Sequence, residues 1–238
     1  MEEKSNQFYE SLKPPLAFIG LIWGIHLLQI IFNLNFGYLG VFPREWFGIK
    51  GIFTSPLIHG DFSQLTNNSI PFLVLGTMIL FFYRKVAYRS FVMIYLITGF
   101  AVWLMARQTF HIGLSGVVFG LVTFVMANGF FRRNIKSLVL ALIVFLLYSG
   151  MLAGVFPLKE GISWESHLIG ALTGIFTAYY YKHEIEADEE DPYATETDID
   201  EANRPYFLPR DTFEKTKEER RREEEGNDPW NTTSTWDA

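Results

Sequence analysis

Residues 111–131 read "HIGLSGVVFGLVTFVMANGFF". After its first few residues the stretch is apolar throughout, and roughly 20 such residues suffice to cross a bilayer core. Yet a serine stands at its mouth between two glycines, where an unpaired hydroxyl in hydrocarbon is costly. Its surroundings decide what it is for. Working outward, windows of the same kind lie at about 15–35, 65–83, 88–106, 137–154 and 164–181, which with 114–131 makes six. The pattern predicts an all-α, polytopic membrane protein.

The 238 residues divide by charge. Residues 1–182 carry 13 Lys/Arg and 7 Asp/Glu; residues 183–238 carry 7 and 19, so that +6 and −12 give the net −6 of the whole. The expected organisation is a cytoplasmic N-terminal segment at 1–14, a six-helix membrane domain at 15–182 and an acidic tail at 183–238. The tail is too charged to bury a core and reads as mostly disordered, with a short charged helix near 211–225. No cleavage-site pattern follows the first apolar run, so that run reads as an anchor rather than a cleaved leader. The chain has no cysteine.

Basic residues in short loops set orientation. With the N-terminus inside, Lys4, Lys13, Arg84, Lys85, Arg89, Arg132, Arg133, Lys136 and Lys182 face inward, and only Arg44, Lys50, Arg107 and Lys159 face outward. Both termini are therefore expected in the cytoplasm, in a plasma or bacterial inner membrane.

On that topology His59, Gln64, Asn67, Asn68, Ser115 and His167 fall at one depth, at the outer ends of segments two, four and six. Polar groups within a membrane usually face a bundle interior or a wet cavity, so the cluster predicts a pocket opening outward. Gly116 and Gly120, and likewise Gly170 and Gly174, form small-xxx-small repeats that allow close helix contact. If those faces meet, Ser115 and His167 come within hydrogen-bond range, which is an activated nucleophile with its base. The start of segment four also offers free backbone N–H groups that can hold an oxyanion. Gln64 and Asn68 share a helix face and carry amide donors.

Each feature alone has a plainer reading: Ser115 bonded to its own backbone, a glycine repeat marking a dimer face, Asn67 and Asn68 bridging helices, Phe119 packing, His111 at a loop surface. Their convergence on one side and depth favours chemistry. Other chemistries lack residues. The His183-Glu184 pair is followed by no second histidine for an H-E-x-x-H zinc site, and Asp61 is the sole aspartate before residue 188. No metal site, phosphate loop or basic patch for nucleic acid is evident, and no cofactor is implied.

"GLSG" at 113–116, "HLIGALTG" at 167–174 and the pair His59…Asn68 resemble the rhomboid intramembrane serine proteases over about 15–182. The resemblance implies Ser115 as nucleophile and His167 as base. It implies an oxyanion site from the Ser115 N–H, Asn68 and Gln64, in the turn of Gly113 and Leu114, with His59 supporting the outer loop and pocket. Gly116, Phe119, Gly170 and Gly174 would pack around the dyad. Gln64 stands where the family often has histidine, and Phe119 where it often has tyrosine. Segment 37–62, with "FPREWFGI", resembles an interfacial loop, and 155–163 with segment five a mobile cap and lateral gate. The implied substrates are single-span membrane proteins with helix-weakening residues and a small side chain before the cut, cleaved in or near the outer leaflet. A catalytically silent client-binding relative is the alternative, and a small polar-solute transporter a more distant one.

Overall fold

The computed structural model describes residues 2–157, 163–186 and 216–226. The chain forms two compact units, 1–190 and 191–238. The first contains α1 (Glu2–Ile31), α2 (Gly51–Thr54), α3 (Phe62–Phe82), α4 (Ala87–Met105), α5 (Ser115–Arg132), α6 (Ile135–Tyr148) and α7 (Trp164–Tyr180). There is no strand among the described residues, only an isolated antiparallel bridge between Val41 and His111.

Local chemistry sets the ends. Helix α1 stops at Ile31 because Asn33 takes a left-handed φ of 50°, and the N–H groups of Asn33 and Leu34 close back on the carbonyls of Ile30 and Gln29. That double bond is the usual C-terminal lock of a helix. Asp61 caps α3 by accepting the Gln64 N–H at 2.7 Å, and Asn134 caps α6 through the Ser137 N–H at 2.8 Å, each satisfying an orphan donor. Helix α6 ends sooner than the apolar run suggests. From Ser149 to Val155 the chain winds on as 3₁₀ turns, because Gly150 and Gly154 are poor helix formers.

Helices α1, α3, α4 and α5 are each long and apolar enough to cross a membrane. Helix α6 presents Leu138, Leu142, Leu146 and Leu147 outward, all exposed, a surface suited to lipid and not to water. Helix α5 lies at the centre, packed by α7, α6, α3 and α4. Its contact with α7 is a glycine seam. A Cβ at Gly170 would stand 1.9 Å from the Gly116 carbonyl oxygen, and one at Gly174 2.0 Å from that of Gly120. No side chain fits at either place.

Beyond α7, Glu184 pairs with Arg89, and Glu186 accepts the Lys85 backbone N–H at 2.8 Å. Most of the acidic tail lies outside the described residues. Within the second unit, α8 (Lys217–Gly226) starts with Thr216 and Glu219 capping one another's N–H groups, a capping box.

Candidate active site

The loop into α5 is held rigidly from behind. Gly113 sits at φ +106°, a conformation that glycine adopts freely and other residues rarely do. Its N–H donates to the Ser55 carbonyl at 2.9 Å. The next N–H, of Leu114, points at His59 Nε2 at 3.5 Å, and the Leu114 side chain is fully buried in the core. With those two donors engaged inside the fold, the backbone N–H beside the serine hydroxyl is that of Ser115, the first residue of α5.

The glycine seam brings α7 close enough for its histidine to reach that hydroxyl. His167 Nε2 lies 2.9 Å from Ser115 Oγ. Its Nδ1 lies 2.9 Å from the Gly154 carbonyl oxygen, which can only accept, so Nδ1 carries the proton and donates it there. Nε2 is thereby left with its lone pair facing the serine, the tautomer a general base needs. Phe119 stacks on the ring with centroids 4.3 Å apart and planes 8° from parallel.

Both groups open onto a cavity of about 520 Å³ whose lining includes Gln64, Asn68, Phe110, Met151 and Ser163. The Asn68 amide nitrogen is buried and makes no hydrogen bond. Gln64 is tethered at both ends: its Oε1 accepts the Gly60 N–H at 2.8 Å and its Nε2 donates to the Ile112 carbonyl at 3.4 Å. His59 is buried behind the turn and does not line the cavity. It braces the loop that carries the serine.

Residues 43–184, more than half of the chain, match the Rhomboid domain. The chain belongs to the rhomboid family. It is similar to uncharacterized proteins of Mycobacterium tuberculosis and Mycobacterium bovis, each 31% identical over 173 residues that cover 69% of this chain and 72% of the relative. A Mycobacterium leprae relative is 30% identical over 69% of this chain and 68% of its own. With several helices of membrane-crossing length, the chain is an integral membrane protein.

Sequence reasoning missed three parts of the rhomboid site. Gly154 supplies the carbonyl that orients His167, and a Cβ there would stand 3.0 Å from Phe119 and 3.2 Å from the imidazole. Met151, from the same 3₁₀ segment, lines the cavity. Ser163, just before α7, hydrogen-bonds His111 Nδ1 and lies 2.6 Å from Ser166 Oγ.

His111 itself, expected at a loop surface, is buried. It pairs with Val41 through the backbone, and its Nε2–H donates to the Arg107 carbonyl at 2.9 Å. Nδ1 is then the acceptor, so the Ser163 hydroxyl donates to it and in turn accepts from Ser166. Burial pushes the His111 pKa down, which keeps this polar stitch neutral. His111 precedes Ser115 by four residues, and Ser163 precedes His167 by four. The stitch therefore fastens the two site-bearing segments together one turn away from the serine–histidine contact. The only sequence clue was its spacing, the same as that of Ser115 and His167. Residues 158–162 of the expected cap lie outside the described residues.

Proposed function

We propose that this rhomboid-family protein is an intramembrane serine endopeptidase, a six-span bundle with both termini cytoplasmic and its cavity open toward the outer leaflet. The observation that carries the reading is His167 Nε2 at 2.9 Å from Ser115 Oγ, with Nδ1 turned to the Gly154 carbonyl, at the edge of a cavity holding the unpartnered amide of Asn68.

On this reading a single-span substrate helix enters sideways and unwinds over the cavity. Ser115 Oγ attacks the scissile carbonyl while its proton passes to His167 Nε2. Negative charge develops on the carbonyl oxygen, and the Ser115 N–H and the Asn68 amide donate to it. The C–N bond then breaks, and His167 returns the proton to the leaving amine. Water from the cavity attacks the acyl-serine, giving up its proton through His167, and the carboxylic acid product departs. Gly154 does through a carbonyl what an aspartate does in a triad: it fixes the imidazole's orientation and tautomer.

A fluorophosphonate probe tests the assignment on purified, folded protein. Wild type should label, and Ser115→Ala and His167→Ala should not. Folded wild type that stays unlabelled and leaves a helix-weakened single-span substrate intact would replace the enzyme with a silent client-binding protein.

A further inference from the structure

At the end of the bundle away from the cavity, α4 packs on α7 and α5 and touches α3 little. A wedge opens there between the start of α1, the second half of α3 and the start of α4. Its deep part is a slot of about 210 Å³ with almost wholly apolar walls, among them Pro15 and Phe18 of α1, Phe72 and Ile79 of α3, and Phe91 of α4. Gly76 lets α1 and α3 meet at its side, since a Cβ there would stand 3.0 Å from the Pro15 ring. Leu80 and Tyr88 line the slot and also line a wider, polar recess of about 410 Å³ bordered by Asn6, Gln7, Glu10 and Arg84. The two spaces therefore adjoin across Leu80 and Tyr88: apolar inside the bundle, polar at its end.

The recess has one unanswered charge. Glu10 is paired with Lys13. The next basic residues along the chain are already engaged, the Lys85 ammonium by the Ile185 carbonyl at 2.6 Å and Arg89 by Glu184. Arg84 is exposed and, among the described residues, makes no hydrogen bond or ion pair. A site with an apolar slot, a polar mouth and a free guanidinium matches an amphiphile with a negative head, because guanidinium pairs bidentately with phosphate and basic pockets between membrane helices select anionic head groups.

We propose that slot and recess together bind one anionic glycerophospholipid, with an acyl chain in the slot and its phosphodiester on Arg84. The site is separate from the cavity and does not depend on the activity proposed above.

Native mass spectrometry of the full chain, released from micelles after titration with phosphatidylglycerol, tests this. One phosphatidylglycerol should be retained about fivefold better than phosphatidylcholine, the ratio one basic residue contributes near a membrane surface. Arg84→Gln should abolish that preference, while Arg133→Gln, at another exposed basic residue outside the slot, should preserve it; both variants should keep the wild-type melting temperature. Glycerol phosphate, the head without chains, should not be retained. Equal retention of the two lipids, or loss of preference in both variants, would reduce the site to ordinary annular lipid. Retention of glycerol phosphate as strong as that of the lipid would reduce it to an anion site and remove the slot from the proposal. A preference unchanged in Arg84→Gln would also overturn it.

Discussion

Around the serine–histidine pair most polar side chains are neutral and tied to backbone groups: His167 to the Gly154 carbonyl, Gln64 to Gly60 and Ile112, His111 to Arg107. The charges at that end are Asp61, which caps α3, and Glu165, which pairs with Arg107 at 3.2 Å. At the opposite end the contacts are ionic. Arg89 grips Glu184, and Arg132 donates to the Glu184 carbonyl at 3.0 Å while lying over the Tyr83 ring. The difference follows from dielectric. Within a bundle an ion costs far more to desolvate than a neutral group that keeps its hydrogen bonds, whereas at a wet helix end charges are tolerated and contribute little. The serine–histidine contact itself is accordingly built from close approach and neutral donors. Breaking the seam should be catastrophic there, and breaking the ion pairs almost harmless.

The largest expected effect is at the seam. Gly170→Ala places a methyl 1.9 Å from the Gly116 carbonyl oxygen, so α5 and α7 must part. Overpacking of this kind costs about 1–3 kcal/mol and sometimes more, and parting the helices also separates Ser115 from His167. Gly24→Ala, where a Cβ meets nothing within 4 Å, is the matched control. Thermal unfolding in micelles should show a large drop for the first and none for the second. Equal melting temperatures would mean that the seam is not what holds the two helices.

Next comes the pair of amide side chains. Asn68 has a free, buried N–H donor, whereas both ends of the Gln64 amide are engaged. Losing one oxyanion donor costs about 10²–10³ in kcat. Asn68→Ala should fall in that range in a single-span substrate cleavage assay, and Gln64→Ala should lose about tenfold or less. A larger loss from Gln64→Ala would reverse their assigned roles.

Much of this was legible in the sequence because lipid leaves few choices. Each apolar window holds a helix, four of them long and apolar enough to cross a membrane, and the matched glycine repeats mark the α5–α7 contact. The family followed from the same motifs. What stayed hidden was carried by backbone or by irregular structure. Gly154 acts through a carbonyl that any residue possesses, so nothing about its identity marks it as the partner of His167. The 3₁₀ segment that delivers it reads in sequence as the end of a longer helix. His111 and Ser163 lie in loops, and their stitch is visible only once α7 is docked.

An effect on stability alone, leaving the serine–histidine contact in place, should appear as pH dependence. His59 is fully buried, and burial, reinforced by nearby His26, pushes its pKa down to about 4 from the model-peptide 6.5. Between those values the unfolded chain binds a proton that the folded chain refuses, so stability rises with pH across the window and is lost as pH falls through it. The full difference is about 3 kcal/mol. Unfolding followed from pH 7 to pH 4 should show that loss in wild type and a flatter profile in His59→Gln, whose amide oxygen can still accept the Leu114 N–H. An identical slope in both proteins would move the dependence to another group.

The smallest effect belongs to the ionic end. Arg89 and Glu184 are both substantially exposed, so high dielectric, lost side-chain freedom and salt leave such a pair worth little. Removing it with Glu184→Gln should lower the melting temperature slightly at low salt and not at all at high salt, with cleavage unchanged. Arg89 would keep its other hydrogen bond, to the Lys85 carbonyl at 2.7 Å, so the start of α4 stays in place. A salt-insensitive drop would mean that the pair is an anchor for α7, coupled through 17 residues of helix to the histidine at its far end. In that case cleavage should fall with it, and the two ends of the bundle would be one mechanical unit.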